Sequence, residues 1–209
     1  MGFFRRRADP QAVLLRQDEA IATFWQWWVA EGRARAAAVF DERADPRPVA
    51  DDLVPRIRAI HPDLDFETGT GRTARHVLVV TAAGDPGLRE VADRWLAAAP
   101  PADDAFEYDT WRRPVAEPEG VAVDLGHGRL ALCDVRAVLT PRGDLVDVET
   151  WHPVFRDLPD QARGQITFLL LDALLGERLV EQRVGAVAWT AEEPADARPL
   201  LELRDLLAA

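Results

Sequence analysis

Three amino-acid types are missing from this 209-residue chain: it has no lysine, no serine and no asparagine. Without serine there is no Ser-His-Asp hydrolase. Without lysine there is no Schiff-base or pyridoxal-phosphate chemistry, no P-loop lysine and no kinase lysine. Cys133 is the single cysteine. That excludes an internal disulfide, a cysteine-rich zinc site and an iron–sulfur cluster ligated by this chain's thiolates alone. No run of eighteen apolar residues occurs, so no membrane span and no integral membrane association are expected. No β-α-β run with a glycine fingerprint occurs either, so a dinucleotide fold is not expected. Asp, Glu, His, Thr, Tyr108 and Cys133 remain as the side chains available for catalysis.

The composition that is present describes an acidic globular chain. Net charge is −11 and all 25 basic residues are arginine. This balance opposes non-specific nucleic-acid binding, which depends on neutralising phosphates. Apolar residues make up 48%, enough for a core, and a chain of this length buries roughly 70% of its unfolded surface. Residues 1–16 read as a basic N-terminal tail and lead-in. "MGFFRRR" has neither the apolar stretch nor the small-residue cleavage site of an export signal. Arg6 stands where a myristoylation pattern needs Ser or Thr. A cytoplasmic protein is expected, with residues 17–209 as one α+β domain divisible into sub-halves 17–115 and 120–209.

Periodicity supplies the elements. A helix is predicted from Asp18 to about Phe40, with Ile21, Phe24, Trp25, Trp28, Val29 and Gly32 on its inner stripe. On that wheel Trp27 points roughly 130° away from the stripe, so it is a candidate partner-binding residue. A second helix covers about 49–60. Strands follow near 64–67 and at "HVLVV", joined by "TGTGRT". Asp85 caps a helix that begins with Pro86, and a strand is predicted at 105–112. The second half gives strands near 121–125, 129–139 and 144–151, a helix at about 159–176, a strand near 184–190 and a short final helix. Both halves thus read strand, strand, helix, strand. The fold class expected is α+β, with a largely antiparallel mixed sheet and helices packed on one face.

Four carboxylates stand as catalytic candidates. Asp147 and Glu149 share a strand face in "DVETWH", but His152 falls on the other face, so the three make no metal site on a regular strand. Asp172 lies inside the apolar run "ITFLLLDALLGE", on a narrow sector with Gln161, Gln165 and Gly176, and Glu177 follows it. Arg112 and Arg113 in "TWRRP" are partner-binding candidates, because adjacent guanidiniums hold carboxylates or phosphates. The "TGTGRT" loop could present backbone N–H groups to an anion; it matches no phosphate-loop pattern and reads as a hairpin turn. Cys133 alternates with Ala131, Val135 and Ala137 and reads as a small buried residue. No cofactor and no bound metal are expected.

Several segments carry a resemblance. "FWQWW" on the first helix, "HPDLDFE" at 61–67, "LVVTAAGD" at 78–85, Ala99-Pro100 before "FEYDTWRRP", "LLLDALLGE" at 169–177 and "VGAVAW" are similar to a bacterial family known only as a domain of unknown function. The likeness spans about residues 20–190 and departs from the family at Phe106, where a tryptophan is usual. It implies a bacterial, cytoplasmic α+β protein and contributes no catalytic residue. The functional expectation is a non-enzymatic module that binds another protein, in a regulatory or immunity-like role. The alternative is a carboxylate-based enzyme, with or without a divalent metal, which requires Asp147, Glu149 and Asp172 or Glu177 to converge.

Overall fold

Asp9 starts the first helix: its carboxylate accepts a hydrogen bond from the Gln11 N–H, and Pro10 follows where no backbone donor is needed. The computed structural model describes residues 9–126 and 128–208. The basic stretch at residues 1–8, His127 and Ala209 lie outside the described residues. The chain divides into two compact units, Met1–Trp111 and Arg112–Ala209.

In the first unit, helix α1 (Pro10–Trp27) continues through a π-helical turn, Trp28–Gly32, into α2 (Arg33–Asp41). Helix α3 (Arg47–Ile60) precedes a hairpin of β1 (Asp65–Thr70) and β2 (His76–Thr81). Asp85 caps the 3-10 turn that leads into α4 (Arg89–Ala97). That crossover returns the chain to β3 (Phe106–Asp109), parallel to β2. Phe24, Trp25, Trp28 and Trp95 pack with Leu78 and Phe106 at the centre of the core. Burying one such indole contributes about 2–3 kcal/mol. The polar tips are satisfied: the Trp25 indole N–H donates to the Trp95 carbonyl at 2.8 Å, and that of Trp28 donates to the Tyr108 hydroxyl at 3.0 Å.

A π turn ends the regular part of the inner stripe. Its N–H groups reach back five residues, as Arg33 does to the Trp28 carbonyl, so side chains beyond it leave the 100° spacing. Val29, at the start of the turn and expected inside, is 58% exposed, on the edge of the stripe in line with the exposed Ala22. Trp27 is half-buried rather than free on the outer side. Its ring lies against Gly32, where an added Cβ would come within 2.6 Å. The Arg56 guanidinium covers that ring at 3.9 Å from a ring centroid.

The second unit opens with a small antiparallel pair, β4 (Ala122–Asp124) and β5 (Arg129–Ala131). A 3-10 turn at Leu132–Asp134 then interrupts what the sequence suggests as one strand over 129–139. The interruption breaks the alternation, and Cys133, expected to be buried, is exposed. Strands β6 (Arg136–Arg142) and β7 (Leu145–Trp151) form a hairpin closed by Gly143 at φ +63°. Helix α5 (Asp160–Leu175) and helix α6 (Glu177–Arg183), the latter not foreseen from the sequence, carry the chain to β8 (Val184–Thr190), parallel to β7. The short β9 (Arg198–Pro199) pairs with β6, and α7 (Glu202–Ala208) ends the described chain. Val146, Val148 and Thr150 of β7 are buried in this unit's core with Leu170, Leu171 and Leu174 of α5. The Thr150 and Thr167 hydroxyls, both buried, share a hydrogen bond of 2.8 Å across the two elements.

Both units therefore use one plan. A hairpin (β1–β2, β6–β7) is followed by a helical crossover to a third strand parallel to the hairpin's second strand (β3, β8). The class is α+β, as the sequence indicates.

Candidate functional site

The candidate site grows from one glycine. Gly176 ends α5 at φ 80°, ψ 146°, a backbone region open essentially to glycine. The kink brings the segment Arg112–Val115 against the helix end. The Arg112 N–H donates to the Glu177 carboxylate at 3.1 Å, and the Glu177 N–H donates to the Arg112 carbonyl at 3.0 Å. The Val115 N–H donates to the Ala173 carbonyl at 2.8 Å. Arg204 ties the join from a third element, donating to the Leu174 carbonyl at 2.8 Å and the Val115 carbonyl at 3.3 Å. Glu177 is only 3% exposed, so a buried carboxylate accepts a main-chain N–H here. The clamp sets the Arg112 guanidinium 3.8 Å from Asp172. Arg113 is half-buried in the same segment.

Three of the expected residues, Arg112, Asp172 and Glu177, are thus brought together although some sixty positions separate them along the chain. Asp147 and Glu149 are not among them. They lie on the strand face opposite Val146, Val148 and Thr150, which pack toward α5. Asp147 accepts from the Ala186 N–H at 2.8 Å and from Arg142 at 2.9 Å. The Ala186 N–H first, and then Arg142, hold its carboxyl below the usual range. Glu149 is exposed. The four carboxylates do not converge. Among the described residues no three His, Cys, Asp or Glu side chains gather as metal donors.

One turn of α5 before Asp172 the helix exposes two large apolar side chains, Phe168 at 46% and Leu169 at 49%. Gln161 and Gln165 are exposed on the same side. On the helical wheel Phe168 and Leu169 flank the Gln161–Gln165–Asp172 sector, one on each edge. That signal is present in the sequence; the surrounding run of leucines hides it. The outer face of α5 thus carries an apolar pair rimmed by amides and by the Arg112–Asp172 ion pair.

His152 is a second buried titratable group of this unit. It is 6% exposed and its Nδ1 accepts from the Val154 N–H at 3.2 Å. Burial pushes its pKa below the ordinary imidazole value. The neutral form is favoured in the fold while the unfolded chain takes up a proton near pH 6.5. Stability is therefore full above about pH 6.5 and lost as pH falls toward the lower folded value. Urea midpoints at pH 8 and pH 5.5 check this. Wild type is expected to lose more stability between the two than His152→Gln, and equal losses would refute the assignment.

No family model, curated protein or solved structure matches the chain.

Proposed function

We propose that this protein is a non-enzymatic binding module for another protein, and that the outer face of α5 is its contact surface. The observation that carries the reading is the adjacent exposure of Phe168 and Leu169 in mid-helix. An apolar centre with a polar rim is the anatomy of a protein interface, and aromatic side chains at such centres supply most of the binding energy. The Arg112–Asp172 pair at the rim gives register rather than affinity. With a chain charge of −11, the partner is expected to offer an apolar pocket with a basic surround.

A regulatory or immunity-like role fits such a module, which acts by occupying a surface. The reading keeps the setting that the resemblance implies, a bacterial cytoplasm. The carboxylates fit it as well. Glu177 and Asp147 each accept main-chain N–H groups, and Asp172 sits beside Arg112, so they serve the architecture of the unit.

The test is cross-linking and affinity capture with wild type and Phe168→Asp as paired baits. Circular dichroism establishes first that the exposed substitution leaves the fold unchanged. A partner held by wild type and lost by at least tenfold with Phe168→Asp is the expected result, since truncating or charging an interface anchor costs more than 1.4 kcal/mol. Identical partner sets for the two baits would end the reading.

A further inference from the structure

A second surface lies in the first unit, on the long N-terminal helix. Leu15 is 60% exposed, Val29 58% and Leu14 41%. Ala22, midway between Leu15 and Val29, is exposed too. The spacing of Leu15, Ala22 and Val29 is seven residues, so the three fall in one line along the helix. The line holds to Val29 because the Trp28 N–H still bonds in the α pattern, to the Phe24 carbonyl, and Val29 is the next residue. Beside it runs an open groove of about 490 Å³, lined by Ala22, Trp25, Gln26, Val29, Ala98 and Pro100. At Asp18, one turn before Ala22, the helix is fastened to α4 by the ion pair with Arg94. Beyond the groove Arg33 is fastened to Asp103. The groove's walls are thus held in place by ion pairs at both ends.

We infer that this stripe and its groove are the contact between two copies of the chain, paired as antiparallel α1 helices about a two-fold axis at Ala22. The argument is self-complementarity, which an isologous contact requires and a foreign partner does not. With Ala22 on the axis, Leu15 of one copy lies level with Val29 of the other and enters the groove beside it. Leu14 lies level with Ala30 and Asp18 with Gln26, all exposed. No level pair sets like charges together, although each copy is strongly acidic as a whole. The small Ala22 at the crossing lets the helices approach to the 8–10 Å typical of packed pairs. The surface is distinct from the outer face of α5, so the inference stands apart from the proposed partner site.

Sedimentation equilibrium of the full chain tests it. Wild type is expected to show about twice the 23.2 kDa chain mass. Leu15→Glu and Val29→Glu should each weaken self-association by roughly tenfold or more, as a charge in an apolar helix contact does. Both positions are exposed in the single chain, so circular dichroism and thermal unfolding should hold steady. Phe168→Asp should leave the mass unchanged, which separates this contact from the partner surface. In a Cys133→Ala background, Ala22→Cys should give a disulfide-linked dimer on mild oxidation, because the position meets itself on the axis. A wild type that stays at 23.2 kDa up to millimolar concentration overturns the inference. So does a dimer that Leu15→Glu and Val29→Glu leave intact.

Discussion

Gly176→Ala is expected to destabilise the second unit by about 3 kcal/mol or more, the sum of a strained backbone and an unavoidable clash. The residue sits at φ 80°, ψ 146°, where a side chain is rarely tolerated. An added Cβ would stand 2.6 Å from the Pro114 ring, 3.0 Å from its nitrogen and 3.1 Å from the Arg112 carbonyl oxygen. None of these atoms is the end of a flexible side chain. Relief means moving the 112–115 segment, which breaks the reciprocal Arg112–Glu177 hydrogen bonds and leaves a buried carboxylate short of donors. Gly120→Ala and Gly128→Ala are the controls, because nothing lies within 4 Å of a Cβ at either; both should stay within about 0.5 kcal/mol of wild type. Urea unfolding resolves the difference. A Gly176→Ala loss below about 1 kcal/mol would show that the clamp yields easily. The clamp also positions Arg112 beside Asp172, so the same variant should weaken the proposed partner contact even under conditions where it remains folded.

The sequence discloses local regularities and conceals whatever depends on a distant residue or a local break. Alternation in "LVDVETW" separates Asp147 and Glu149 from Val146 and Val148, and the structure agrees residue by residue. The caps at Asp85 and the strand-strand-helix-strand order are legible for the same reason, since each is fixed by neighbours in sequence. Cys133 comes out on the other side from its expected place because a 3-10 turn interrupts a steady alternation, and Val29, at the edge of the stripe where a π turn starts, falls in line with the exposed Leu15 and Ala22 instead. Neither break has a proline to announce it. The wheel places Trp27 outside; in the structure its ring turns back over Gly32, an i to i+5 contact that a π turn permits. At the candidate site, the wheel sets Phe168 and Leu169 on either edge of the polar sector, but the leucines around them mask the pair. The Arg112–Asp172–Glu177 grouping was not readable, because it is created by a glycine conformation between segments sixty residues apart.

The "TGTGRT" loop joins both kinds of information and carries the second large prediction. Its backbone donors do converge on an anion, and the anion is the chain's own Glu107, 7% exposed on β3. The Arg72 N–H donates to one carboxylate oxygen at 2.7 Å. The other accepts from the Thr73 N–H at 2.9 Å, the Thr73 hydroxyl at 2.6 Å and the Ala74 N–H at 3.1 Å. Charge-assisted bonds of this kind are roughly twice as strong as neutral ones, and removing the acceptor strands several donors at once. Glu107→Ala is therefore expected to cost the first unit about 3–5 kcal/mol. Glu107→Gln should cost less, because one amide oxygen can keep the second set of donors while its NH₂ faces the Arg72 N–H. Thr73→Val, which removes one donor and spares the backbone, should cost about 1 kcal/mol. The order Ala, then Gln, then Thr73→Val is the first check, read from urea midpoints. Chemical rescue is the sharper one. With its own carboxylate removed, the turn becomes a vacant cradle of N–H groups, so added formate should restore part of the stability of Glu107→Ala and none of the stability of Thr73→Val. If formate moves neither variant, the convergence of these N–H groups is a consequence of the fold and the carboxylate is not what holds the turn.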